Sequence, residues 1–137
     1  MKPLAFFDTN ILVYSDDVAD PRKQARAISL LAEHREDNSM VVSLQVLQEY
    51  YAATTRKLKV DPLVAQNKVE VFARARVVRF TERDVIAAIE LHRLNRLSFW
   101  DAMIVHAARL ANASVLYSED LASGSTLAGA TIRNPFA

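Results

Sequence analysis

Five short β-prone runs, Leu4–Phe7, Met40–Val42, Val77–Phe80, Val115–Tyr117 and Thr131–Arg133, alternate along the chain with stretches of helical length. Short strands separated by whole helices cannot join as tight hairpins. They are expected side by side and parallel, in a sheet covered by helices on both faces. The helices mark their own starts. Asp20-Pro21 and Asp61-Pro62 each set an N-cap acid before a proline at the first helical position, opening helices to about Glu36 and Arg74. Ser43 caps a helix from Leu44 to about Leu58. Thr81-Glu82-Arg83-Asp84 reads as a capping box for a helix reaching about Asn95, and Ser98-Phe99-Trp100-Asp101 repeats that signature for one reaching about Ala111. Ala25, Ile28, Leu31 and Ala32 form the apolar stripe of the first helix, and the last is apolar on nearly every side, so it is expected to be central and buried. Asp8-Thr9-Asn10 reads as a turn.

The 137 residues suit one domain, 1–137, burying roughly two thirds of the surface that the unfolded chain exposes. Two glycines, both near the end, and no repeat or Gly/Ser linker agree with a compact helix-rich body. Cysteine is absent, which excludes disulfides, thiolate zinc sites and cysteine nucleophiles. Any bound metal then takes oxygen or histidine ligands. No apolar run approaches the ~20 residues of a membrane span, and the reading is a cytoplasmic protein with no membrane partner. The net charge of +1 hides an uneven distribution: five Lys/Arg against eight Asp/Glu in residues 1–50, ten against five in 51–100, and two against three in 101–137. The middle third is basic.

Asp8 follows the first strand and Asp120 the fourth, while Glu49 and Asp101 begin or ride on helices entered from the same sheet edge. Open α/β sheets bind ligands outside the carboxyl ends of their strands, so the four acids are expected to converge there. Each also has a plainer role. Asp8 fits the cap of a short helical turn, Asp101 completes a capping box with Ser98, and Asp120 suits a turn, with Glu119 beside it as an alternative ligand. Glu49 is the most telling, because Gln45, Val46, Ala52 and Ala53 around it are a poor setting for a solvated acid. Three or four oxygen ligands suit Mg²⁺ or Mn²⁺, which keep positions open for water and substrate phosphate. The expected chemistry is phosphodiester hydrolysis by a metal-activated water.

No Gly-rich phosphate loop occurs, and Asn10 stands where a phosphatase of the haloacid-dehalogenase kind needs a second aspartate. His34, His92 and His106 are scattered over helices, not paired as a histidine-based ribonuclease requires. Arg56, Lys57, Lys59 and Arg79 are candidate RNA-phosphate contacts. Tyr14, Tyr50, Tyr51 and Trp100 are candidate stacking partners for bases, although Trp100 inside an apolar helix fits the core better. Tyr50, Tyr51, Leu58, Val64 and Val71 suit either a partner surface or the core. From another class, a non-catalytic receiver-like module binding a cation or partner accounts for the acids but not for the basic middle third.

Asp8-Thr9-Asn10 after an apolar strand, Glu49 in a helix, Ser98-Phe99-Trp100-Asp101-Ala102 and Ser118-Glu119-Asp120-Leu121, in this order, resemble a PIN-domain nuclease, and most of all a VapC-type toxin of a bacterial toxin-antitoxin pair. The closing Asn134-Pro135-Phe136 is similar to the ending of many members. The resemblance implies a PIN-like three-layer α/β sandwich, a five-stranded parallel sheet flanked by helices. It implies that Asp8, Glu49, Asp101 and Asp120 bind Mg²⁺ or Mn²⁺ and cleave single-stranded RNA, transfer RNA being a common target class. DNA and structured ribosomal RNA are the other substrate readings. The Ser118-x-Asp120 pattern favours Asp120 over Glu119. A homodimer and a cognate VapB-like antitoxin, its tail in the groove near the acids, are the implied partners.

Overall fold

The computed structural model describes residues 3–137, and the Met1-Lys2 start lies outside the described residues. The first strand, β1 (Ala5–Phe7), leads through α1 (Thr9–Tyr14) and α2 (Pro21–Glu36) to β2 (Met40–Ser43). Helices α3 (Leu44–Arg56) and α4 (Pro62–Phe72) precede β3 (Arg76–Val78), and α5 (Glu82–Leu94) and α6 (Phe99–Leu110) precede β4 (Val115–Tyr117). The chain ends in β5 (Thr126–Leu127) and β6 (Ala130–Arg133). Across the sheet the order is β3-β2-β1-β4-β6-β5, parallel throughout except for the last pair. Every residue of β1 and β2 is buried, so helices cover both faces of the sheet centre. Phe6 lies between Val41 and Leu116 in register, and these three with Phe7, Val42 and Ile132 form the middle of the core. No helix among the described residues is long and apolar enough to cross a membrane.

From β1 the chain steps outward to β2 and β3, then returns to lay β4 on the other side of β1. The loops leaving β1 and β4 therefore part in opposite directions and leave a crevice at the carboxyl ends of these strands, the place where such sheets bind ligands.

Four features differ from the sequence reading. The Asp8-Thr9-Asn10 turn continues as α1, a six-residue helix capped by Asp8 and too short to show an apolar period. In α2 the buried positions are Ala27, Leu30, Leu31 and His34, while Ala25 and Ile28 are exposed. Counting alanines as apolar markers misplaced the stripe; His34 sets its phase instead, its ring edge-on to Phe7 and Tyr117 at 5.4 and 5.7 Å. Strand β3 stops at Val78 because its partner β2 ends at Ser43, which turns to cap α3. Phe80, expected in the strand, packs on the ring of His106.

The sheet also has a sixth, antiparallel strand, β5, joined to β6 by the two-residue loop Ala128-Gly129. Both loop residues have positive φ, 50° and 88°, the conformation of the tight hairpin turns that match strand twist. Alanine is rarely used there, so the sequence carries no hairpin signal. Replacing Ala128 by asparagine creates the favoured Asn-Gly pair and is expected to stabilise the fold by about 0.5–1 kcal/mol in chemical denaturation. Unchanged or lower stability would show that the left-handed conformation at Ala128 carries no cost.

Candidate active site

Asp8 sits at the end of β1, 6% exposed, in the parting between β1 and β4. Its backbone N–H donates to Tyr117 O across the seam (3.0 Å). One carboxylate oxygen accepts from the Thr9 N–H (2.7 Å), making Asp8 the cap of α1, and the other accepts from the Ser118 hydroxyl (2.8 Å). Ser118 Oγ in turn accepts from the Asp120 N–H (3.1 Å), so one hydroxyl links two of the acids.

The next two residues reach the other carboxylates. Thr9 Oγ1 donates to Glu49 Oε1 (2.7 Å), and Asn10 Nδ2 donates to Asp120 Oδ2 (3.0 Å). Gln45, one turn before Glu49, donates to its second oxygen at 3.4 Å. Asp101 enters from the first turn of α6, whose N–H groups favour a carboxylate; Ser98 caps that helix by accepting the Asp101 N–H (3.1 Å). No hydrogen bond to the Asp101 carboxylate is made among the described residues.

All four acids line one open cleft of about 610 Å³, together with Thr9, Asn10 and Gln45. The structure thus brings together Asp8, Glu49, Asp101 and Asp120 as the sequence led us to expect. They ring the cleft loosely: among the described residues, no three His, Asp or Glu groups stand close enough together to hold an ion. Unscreened like charges favour that spacing.

Glu119 also borders the cleft, but its oxygens are engaged by Tyr14 Oη (2.7 Å) and by the Lys23 ammonium. Burial pushes Glu119 up, and the bonds from Lys23 and Tyr14 outweigh it, holding its carboxyl below the usual range. Among the described residues, no Lys, Arg or His forms an ion pair with Asp8, Glu49, Asp101 or Asp120.

Of the candidate cationic contacts, Arg56 and Lys57 line the cleft; Lys59 and Arg79 are exposed but outside its lining. Trp100, expected in the core, lies 60% exposed on the cleft wall, and Tyr50 is fully buried, its hydroxyl donating to Asp16. The positioning roles of Thr9, Gln45 and Ser118 escaped the sequence reading. Only the Ser118-x-Asp120 spacing signalled one of them.

Residues 5–122 match the profile of the PIN domain family. The chain belongs to that family. No curated protein sequence matches it. Similar solved structures include a toxin-antitoxin complex from Klebsiella pneumoniae, 18% identical over 96% of this chain and 97% of the other, with a TM-score of 0.68. Another is VapC20 of Mycobacterium tuberculosis, described as a Sarcin-Ricin loop cleaving toxin, 23% identical over 85% and 89% of the two chains with a TM-score of 0.68. A third is VapBC2 from Rickettsia felis bound to a promoter DNA fragment, 20% identical over 85% and 88%, with a TM-score of 0.63. At these identities the likeness concerns the fold, which is that of the PIN nucleases.

The donor chemistry of this PIN domain suits a hard divalent cation, which would draw the spread carboxylates together: oxygen ligands, no thiol, no cation paired with them among the described residues, and a cleft open to water and substrate. Burial pushes the Asp8 carboxyl up to about 6, against the hydrogen bonds from Ser118 and Thr9, and the charges of Asp120 and Asp101 add to the rise. A carboxyl raised from 3.8 to about 6 on folding binds its proton more tightly in the folded state. With no cation bound, that preference favours folding at low pH and is lost as pH climbs through 6, a change of about 3 kcal/mol. In EDTA, Asp8→Asn is therefore expected to melt above the wild type at pH 7, with the gap closing by pH 4. Mg²⁺ should raise the melting temperature of the wild type more than that of the variant. Superimposable pH profiles would remove the burial argument.

Proposed function

We propose that this PIN domain is a VapC-type toxin: an endoribonuclease that uses Mg²⁺ or Mn²⁺ to hydrolyse phosphodiester bonds of single-stranded or transfer RNA, held in check by a cognate VapB-like antitoxin. The observation that carries this reading is the convergence of Asp8, Glu49, Asp101 and Asp120 on one open cleft with no cationic side chain among the described residues paired to them. Membership of the PIN family supports the nuclease chemistry, and the toxin-antitoxin structures among its fold relatives support the antitoxin.

In this reading the four acids hold the cation. Bound there, it supplies Lewis-acid activation of water and offsets charge on the phosphate. Asp8 anchors the site from the floor, fixed through both oxygens. Thr9 and Asn10 fix one oxygen each of Glu49 and Asp120; Gln45 reaches the second oxygen of Glu49, and the second oxygen of Asp120 is left to the cleft. Asp101 gives its carboxylate from the first turn of α6. Arg56 and Lys57 stand where the flanking phosphates of a bound strand pass, with Lys59 and Arg79 as outer contacts. Attack by water on the phosphorus, with cleavage of the P–O3′ bond, leaves a 5′-phosphate and a 3′-hydroxyl. Tyr51, Leu63 and Val64 leave apolar surface open on α3 and α4, which supports a homodimer or antitoxin contact, and the lack of cysteine accords with a cytoplasmic setting.

VapC20 is described as cleaving the Sarcin-Ricin loop, which favours structured ribosomal RNA as the second substrate reading.

The test is cleavage of total bacterial RNA by antitoxin-free protein in Mg²⁺, Mn²⁺ or EDTA, with the product ends mapped. Discrete metal-dependent products with 5′-phosphates are expected from the wild type. Loss of outer-sphere partners costs about 10–100-fold, so removal of a ligand in Asp8→Asn or Asp120→Asn should exceed that range. Glu119→Gln should stay within it. No cleavage by folded wild-type protein, or equal loss in Glu119→Gln and Asp120→Asn, would contradict the reading or the choice of Asp120.

A further inference from the structure

Trp100 is the sole tryptophan of the chain, and it is spent on the surface. It occupies the first turn of α6, a helix that buries Ala102 and Ile104–Ala108, yet 60% of Trp100 remains exposed. Its indole N–H makes no hydrogen bond among the described residues. The ring is propped edge-on by Phe99, with centroids 5.1 Å apart, and forms part of the cleft wall beside Asp101. The same cleft carries Arg56 and Lys57 on the end of α3. A large aromatic face, a neighbouring carboxylate and two cations in one open cleft are the parts of a single-strand site: cations track phosphates, and the ring takes the face of a base.

We propose that Trp100 is a stacking platform for an unpaired base next to the phosphate held over the acids. A base inside a duplex is already stacked on both sides and offers no free face, so the platform selects single strands, loops and bulges. It is sequence-tolerant, because every base has a π-face. This inference rests on the nuclease reading for the placement of the phosphate, but the ring's contact with a base is measured without cleavage.

The test uses full-length protein in the Asp8→Asn background with Mg²⁺ and a labelled eight-nucleotide oligouridylate, beside an RNA duplex of equal length. Because Trp100 is the only tryptophan, emission excited at the red edge of the indole band, where tyrosine does not absorb, reports on this ring alone. The free protein is expected to show solvent-exposed indole emission independent of protein concentration. The single strand should quench it strongly and the duplex weakly. By anisotropy, Trp100→Ala should bind the single strand about tenfold more weakly, and Trp100→Phe, which keeps a ring, should recover most of that loss. Equal binding by Trp100→Ala, or equal quenching by duplex and single strand, overturns the proposal. So does emission that shifts with protein concentration, which would assign the ring to an interface between copies. Quenching and ring-dependent binding by a protein whose wild type never cleaves would sustain the platform while removing the nuclease. Cleavage by a wild type whose Trp100→Ala variant binds equally well would do the reverse.

Discussion

A buried carboxylate at the seam of two parallel strands organises this molecule. Asp8 continues the ladder from β1 to β4 through its N–H, caps α1 with one oxygen and takes the Ser118 hydroxyl with the other. An ionised group so nearly excluded from water is costly unless it is paired. Among the described residues no cation is spent on it; only neutral donors reach it. The seam is also where strand order reverses, so the backbones separate and leave room above the buried acid. Topology opens the crevice, and Asp8 puts uncompensated charge at its floor.

The remaining acids are placed largely by one short helix. Thr9 and Asn10 lie on the first turn of α1, and their side chains diverge to Glu49 on α3 and to Asp120 after β4. Helix α1 is thus a spacer that fixes two distant elements against the end of β1. Six residues do not hold a helix in water by propensity alone. What holds it is the Asp8 cap at one end and the burial of Ile11 and Leu12 beneath it. The same residue therefore anchors the strand seam, starts the spacer helix and floors the cleft, which couples the local fold to the geometry of the site.

This coupling explains what could be read in advance. Strand-helix alternation and cap chemistry are local signals, and they gave the parallel sheet, all five long helices to within two residues at each end, and the sheet edge toward which the acids point. Long-range decisions were not legible. The phase of α2 depended on an imidazole that packs against β1 and β4, and Trp100 looked like core because a helix such as Phe99–Leu110 shows too little polarity to reveal which side faces water. Strand β5 depended on an alanine in a left-handed conformation, which composition disfavours. Asp8 and Asp120 stood out by following strands, and Glu49 and Asp101 by riding on helices entered from the same edge; the neutral residues that aim them did not, since Thr, Gln and Ser carry no comparable mark.

Glu119 and Asp120 show how a site selects its ligands by compensation elsewhere. The two acids are adjacent in one turn and border the same cleft. Glu119 turns toward α1 and α2, where Tyr14 and Lys23 neutralise it, and Lys23 lies over the Tyr14 ring at 4.7 Å. That ion pair ties the β4 loop to α2 and consumes the charge. Among the described residues the Asp120 carboxylate accepts only the Asn10 amide, its N–H donates to Ser118 Oγ, and no cation pairs with it in the cleft. Had Lys23 faced Asp120, the cleft would have lost one anion while the loop stayed equally well fastened. The split is therefore a division of labour within one turn: one acid secures the loop so that its neighbour is held at a fixed place without being neutralised.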